Sequence, residues 1–334
     1  MKEYVGNLLQ IRGVEQYTLQ NGRGYGMRFL YVRNGLGLDI WISLDRAGDV
    51  SRVQFKGNNI GYFSPCGYVS PQYYDAVETG FLKSFTAGFF TTCGLTAVGS
   101  PCTDMGERLP LHGNVSHIPA ELIALDESGD GLTIKLVIRD AVLFGRKLVL
   151  NRSYHISYTE NSFEVSDTVT NEADMTTPYM ILYHCNIGYP LLHEDSVVKI
   201  PNSKIVARND HAEESISSAL KMECPQQGYE ECCYYYDVMC ENGQAHVGIY
   251  NPEIKTGLVM AYDNKALPYF TEWKMMGKTD YVLGLEPGNC LPDGRDIMRK
   301  TGKLAFLEPD QSGTTGVKFT FMTNAQDFGG YFKC

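Results

Sequence analysis

Short runs of alternating apolar and polar residues recur along the whole chain, and this period-two pattern constrains the fold more than any other feature of the sequence. Side chains of an extended strand point to opposite faces in turn, so such runs suit strands with one buried face. The runs cover Met27 to Val32, Leu38 to Ser43, Leu132 to Ile138, Lys147 to Tyr158, Phe163 to Val169, Tyr179 to Asn186, Ala245 to Tyr250, Gly257 to Tyr262, Tyr281 to Leu285 and Val317 to Met322. They are rich in Val, Ile, Tyr, Thr and Phe and are bounded by Gly, Asn and Asp. Asn-Gly pairs at Asn21, Asn34 and Asn242, and Asp-Gly pairs at Asp130 and Asp293, fit hairpin turns. Helical periodicity is weak and amounts to one or two turns around Pro71 to Val77 and Ala212 to Leu220. Many antiparallel strands without a helical layer leave sandwiches, barrels and propellers, and no repeat of about 40 residues supports a propeller. No linker, low-complexity segment or break in composition divides the chain, so the expectation is one all-β domain over residues 1–334.

The balance of 29 Lys+Arg against 39 Asp+Glu gives a net charge of −10. No basic cluster is present, which argues against nucleic acid or an anionic membrane surface as partner, because both require Lys/Arg to neutralise phosphates. The start of the chain lacks the regions of a secretory signal, and no run approaches the roughly 20 apolar residues of a membrane span, so a cytoplasmic location is expected. The ten cysteines are scattered through a long chain and are expected to be reduced thiols. The densest group, Cys224, Cys232, Cys233 and Cys240, has no C-x-x-C pair and no histidine at zinc spacing, so no structural zinc is expected.

Several familiar motifs fail on inspection. Asn21-Gly-Arg-Gly-Tyr-Gly26 is not followed by an apolar helix, and Gly277-Lys278-Thr279 has Glu272 where a phosphate-binding loop needs its first glycine. No H-E-x-x-H, G-x-S-x-G or EF-hand pattern occurs. Three residues remain. His112 lies in Leu109-Pro110-Leu111-His112-Gly113-Asn114, where the glycine permits close approach of a ligand. His184 lies in Tyr179 to Pro190, where alternation puts Leu182, His184 and Asn186 on one face and Tyr183 and Cys185 on the other. Glu286 ends the apolar run from Tyr281, where desolvation raises a carboxyl pKa toward the range of a general base; Gly284 and Val282 on its own face leave room beside it.

Together these segments resemble the galactose-mutarotase-like (aldose 1-epimerase) superfamily, and a poorly characterised branch of it most closely. The resemblance rests on Thr92-Cys93-Gly94-Leu95, Leu111-His112-Gly113, Tyr183-His184-Cys185-Asn186-Ile187-Gly188-Tyr189-Pro190, and Trp273-Lys274 with Gly284-Leu285-Glu286-Pro287. It spans about Asp39 to Met322 and implies a large twisted antiparallel β-sandwich, or supersandwich. It further implies His112 as a sugar-hydroxyl ligand, His184 as general acid and Glu286 as general base, with Arg46 as the early sugar-binding arginine and Asp237 as the additional substrate-binding aspartate. The chain departs from the usual pattern in reading His112-Gly113-Asn114 for His-Gly-Gly, in placing Tyr183 before the second histidine, and in placing Pro287 after the glutamate.

Anomer interconversion needs one acid and one base near the same acetal carbon and no metal or organic cofactor; a separation of about 5–7 Å between the His184 and Glu286 tips is expected. Asn186 could read a sugar hydroxyl, Trp273 could stack on a sugar face, and Lys274 could pair with the anionic group of an acidic sugar. The partner implied is a small sugar, with the oligomeric state open and a homodimer among the options. The competing readings are a non-catalytic carbohydrate-binding protein, which would need no acid-base pair, and an isomerase acting on a modified, acidic sugar.

Overall fold

Each of the ten alternating runs lies on a strand of the computed structural model, which describes residues 3–332. Lys147–Ser157 pairs with Gly131–Ala141 on one side and Ser162–Asn171 on the other, in unbroken antiparallel register. Along Gly131–Ala141, Leu132, Ile134, Leu136 and Ile138 are buried while Lys135 and Arg139 reach solvent, as alternation requires. These strands belong to a nine-stranded sheet that continues through Ser312–Met322, Thr256–Asp263 and Gln244–Asn251.

A seven-stranded sheet carries the residues of interest. Its order is Asn202–Ala207, Cys232–Val238, Tyr269–Met276, Tyr281–Gly288 and Thr177–Ile187, and the last strand also pairs with Phe90–Leu95 and Ala305–Leu307. A five-stranded sheet is built from the N-terminal strands. One continuous hydrophobic core takes side chains from all three sheets, among them Ile40, Val53, Leu136, Tyr154, Tyr183, Ile249, Leu285 and Phe319. The fold is therefore all-β, with large antiparallel sheets packed face to face.

Both faces of the strand Thr177–Ile187 are covered. Ile181, Tyr183, Cys185 and Ile187 enter the main core, whereas Met180 and Leu182 enter a second apolar cluster with Cys93, Cys290 and Met298. Under the strand, Arg152 is fully buried and pairs with Asp49 and Asp167 at 2.7 Å each. The Tyr183 hydroxyl donates to Asp167 at 2.7 Å, which ties the strand to this ionic group and fixes which face His184 takes.

Strands such as Phe90–Leu95 and Tyr269–Met276 went unread in the sequence because burial on both sides removes alternation: all six residues of the first are buried, and the second turns Glu272 and Lys274 inward. The two expected helical segments shrink to a 3₁₀ turn at Pro71–Tyr73 and to the short helices Asp210–Glu214 and Ile216–Ser218. The Asn21, Asn34, Asp130 and Asn242 turns each lie in a connection between two paired antiparallel strands, the first through a 3₁₀ turn at Gly22–Gly24, whereas Asp293-Gly294 precedes the helix Arg295–Lys300. The nine cysteines among the described residues are free thiols, and no helix among those residues is long and apolar enough to cross a membrane.

Candidate active site

The site begins where two of the quoted motifs are stitched together. Gly94 and Gly113 form a parallel bridge; the Gly94 N–H donates to the His112 carbonyl at 3.1 Å and the Asn114 N–H to the Gly94 carbonyl at 3.2 Å. A β-carbon on Gly113 would stand 2.3 Å from the Gly94 oxygen, and Gly113 has φ +74, so only glycine fits there. His112 is itself in the left-handed region at φ 59, and its backbone N–H donates to the Gly99 carbonyl at 2.9 Å. The Gly99 N–H donates back to His112 Nδ1 at 3.3 Å, which places the ring proton of a neutral imidazole on Nε2. Burial, with His184 and Arg208 adding to it, holds His112 well below the usual histidine range, so this ring is a neutral Nε2–H donor.

His184 and Glu286 come from neighbouring strands of the seven-stranded sheet and meet. His184 Nε2 lies 3.2 Å from Glu286 Oε1, without the alignment of a hydrogen bond. The expected 5–7 Å is thus too long: the Glu286 carboxyl folds back over Gly284, whose hydrogen leaves space that a side chain would fill. Their side chains are 7% and 2% exposed, which puts the pair at a buried floor. Three rings stand edge-on to His184: Trp273 at 5.3 Å, Phe85 at 5.4 Å and His112 at 5.4 Å between centroids. Burial among them lowers the His184 pKa to about 4, with the neighbouring Asn186 side chain opposing the shift. Burial raises Glu286 well above the usual carboxylate range, with Glu231 adding to the shift and Arg208 opposing it. Both shifts favour the uncharged forms, the neutral imidazole and the protonated carboxyl. His184 Nδ1 and Glu286 Oε1 have no hydrogen-bond partner, and neither has Thr271 Oγ1, which belongs to the residue paired with Glu286 across the sheet.

Above this floor lies a cavity of about 310 Å³ whose wall includes Phe81, Phe85, His112, Arg208, Glu231 and Trp273. That is the small end of ligand pockets, room for a single sugar ring. Larger clefts of about 560 and 480 Å³ open beside Arg108 and beside Tyr189, and neither has a histidine in its wall.

Of the residues expected at the site, His112, His184, Glu286 and Trp273 converge on this cavity and four do not. Arg46 is buried elsewhere, donating to the carbonyls of Ser116, Val69 and Ser84 and lying 3.1 Å from His117 Nε2. Lys274 alternates to the far face of its strand and caps the Lys221 carbonyl at 2.6 Å and Glu223 at 3.1 Å, so it cannot meet a ligand's anionic group here. Asp237 is exposed and paired in register with Lys204. Asn186 shares the face of His184, yet its amide folds back onto the His184 carbonyl at 2.8 Å and does not reach the cavity wall.

Among the wall residues that sequence reasoning missed, Glu231, Thr271 and Arg208 bring polar groups to the cavity. Glu231 accepts from the Trp273 indole N–H at 2.7 Å and precedes the strand Cys232–Val238, on the face shared by Cys233 and Tyr235. Alternation from Asp237 leads back to it. Thr271 shares a face with Trp273 and was equally within reach of that rule. Arg208 follows the edge strand Asn202–Ala207, and no local pattern marks it.

The chain has the fold of galactose-mutarotase-like proteins. It belongs to the family described as domain of unknown function DUF4432, whose model matches residues 24–321. A Klebsiella pneumoniae protein named provisionally as an aldose 1-epimerase is similar at 25% identity and a TM-score of 0.89, over 95% of this chain and 85% of its own. A galactose mutarotase-like protein from Clostridium acetobutylicum shares the fold at 13% identity and TM-score 0.69, over 94% of this chain and 99% of its own. Galactose 1-epimerase from Lactobacillus acidophilus does so at 12% identity and TM-score 0.63, over 94% and 99%. No curated protein matches the chain at a significant level.

Proposed function

We propose that this protein interconverts the anomers of a sugar, with His184 and Glu286 as its acid-base pair and His112 as a hydroxyl ligand. The observation that carries the reading is the contact of 3.2 Å between the two tips at the floor of a ring-sized cavity. Opening a hemiacetal breaks the C1–O5 bond, delivers a proton to O5 and removes one from O1. Both oxygens sit on one carbon, closer together than a hydrogen bond is long, so adjacent tips suit them better than separated ones. The shifts of both groups toward their uncharged forms suggest that protonated Glu286 gives the first proton and neutral His184 takes the other, the reverse of the roles implied by the resemblance. Rotation about C1–C2 and reclosure on the opposite face run the transfers backwards and restore the pair. Trp273, Phe81 and Phe85 support the apolar faces of the ring and keep water away from the transfers.

Saturation-transfer NMR of α/β exchange across a panel of aldoses tests this, using the wild type, His184→Gln and Glu286→Gln. Accelerated exchange that falls by ~10²–10⁴-fold in either variant is the expected result. Sugar binding without accelerated exchange would replace the reading with that of a carbohydrate-binding protein.

A further inference from the structure

Arg208 has no role in the proton transfers described above, and among the described residues it is the one lysine or arginine in the wall of the cavity. Its side chain is 30% exposed, which puts it at the mouth, while the acid-base pair lies at the floor. Nη2 is anchored, donating to Ser100 Oγ at 2.8 Å and to the Pro292 carbonyl at 3.3 Å. Nε pairs with Asp293 at 3.6 Å, a carboxylate that also accepts from the Tyr235 hydroxyl at 2.5 Å. Nη1 has only the Cys233 sulfur at 4.0 Å and no oxygen acceptor. The guanidinium is therefore held in place with one end of its fork open. His112 and Glu286 line the same cavity of about 310 Å³, so Arg208 shares a ring-sized space with both.

We propose that Arg208 binds an anionic group on the sugar, at the end of the ring remote from the anomeric carbon. This rests on the acid-base reading for the orientation: C1 goes down to His184 and Glu286, so the substituent beyond C5 comes up to the mouth. An anion is costly to desolvate at the floor and tolerable at a partly exposed rim beside a guanidinium. The other rim charge, Glu231, is held on the Trp273 indole and is left to accept from ring hydroxyls. The anionic group would be a carboxylate, a phosphate or a sulfonate, and Arg208 takes over the place that sequence reasoning gave to Lys274.

The test measures anomer exchange and binding separately. Exchange is followed by NMR for glucose, glucuronate, glucose 6-phosphate and the 6-sulfonate. Binding is measured by calorimetry with the 1,5-anhydro analogues of the same four sugars, which lack the anomeric hydroxyl and cannot open. An anionic sugar is expected to bind ~10–100-fold more tightly than its neutral parent, the contribution of a charge-assisted hydrogen bond. Arg208→Gln should bring that ratio toward one, and Arg208→Lys should restore part of it; whichever anion keeps the largest ratio identifies the substrate group. A ratio near one in the wild type, or an equal loss for neutral and anionic analogues in Arg208→Gln, overturns the assignment even if exchange is catalysed. A ratio that behaves as expected without accelerated exchange upholds the anion site and refutes the isomerase reading.

Discussion

Replacing Gly284 by alanine probes the site without touching a group that handles protons. The new β-carbon would stand 2.4 Å from Glu286 Oε1 and 2.9 Å from the Trp273 β-carbon. Ordinary contact begins near 3.5 Å, so the carboxyl must retreat by about 1 Å. It can do so, being the far end of a flexible side chain, but it then leaves the position beside His184. A misplacement of about 1 Å at a reacting group costs on the order of 10²-fold in rate, and kcat should fall by about that factor. Overpacking against Trp273 should cost ~1–3 kcal/mol, partly offset by the stiffer unfolded chain, since Gly284 has no left-handed backbone to strain. The assay is exchange NMR with a melting curve on each variant, completed by Glu286→Gln and the double variant. If Gly284→Ala acts through Glu286, the double variant should be no slower than Glu286→Gln alone. Wild-type kcat in a folded Gly284→Ala protein, or additive losses in the double variant, would refute the reasoning.

Four further expectations follow from the geometry. The folded His184 pKa of about 4 lies below its unfolded value near 6.5, so the unfolded chain takes up the proton first; stability present above pH 6.5 should be lost as pH falls toward 4, by roughly 3 kcal/mol, and a urea titration at each pH should show that share gone in His184→Gln. Glu286 has the opposite sign, because its folded pKa is raised: Glu286→Gln should gain stability over the wild type as pH rises above about 4.5. Arg152→Met leaves Asp49 and Asp167 buried without their cation and should cost about 3–5 kcal/mol in chemical unfolding, whereas Lys274→Met should lower the melting temperature and leave KM for the sugar unaltered, the reverse of what a ligand-binding lysine would give.

Much of the fold was legible because alternation is a local property. Leu132, Ile134, Leu136 and Ile138 announce a strand and its buried face within seven residues, and burial in the structure repeats that order. The same rule put His184 opposite Tyr183, and Tyr183 does anchor to Asp167 on the core side. His112, His184, Glu286 and Trp273 were also within reach of sequence, since each sits in a segment whose composition is unusual for its surroundings: a histidine between leucine and glycine, or a carboxylate ending an apolar strand. Strands buried on both faces gave no such signal, and Lys274 shows the consequence. Its neighbour Trp273 faces the cavity, so one residue of register decides that the lysine caps carbonyls on the other side.

The sequence by itself therefore determined the fold class, the main strands and the residues able to exchange protons, because periodicity and residue chemistry need no knowledge of distant neighbours. Tertiary structure alone decided which of them meet. Only the folded backbone over Gly284 brings Glu286 to 3.2 Å from His184, and only burial at the cavity floor shifts both groups toward their uncharged forms. Only the packing of the edge strand Asn202–Ala207 brings Arg208 to the cavity mouth, while Arg46, the arginine that motif order favoured, is enclosed by three carbonyls. The physical reason is the same in each case: desolvation and contact depend on what the rest of the chain places around a group, and no local pattern records that.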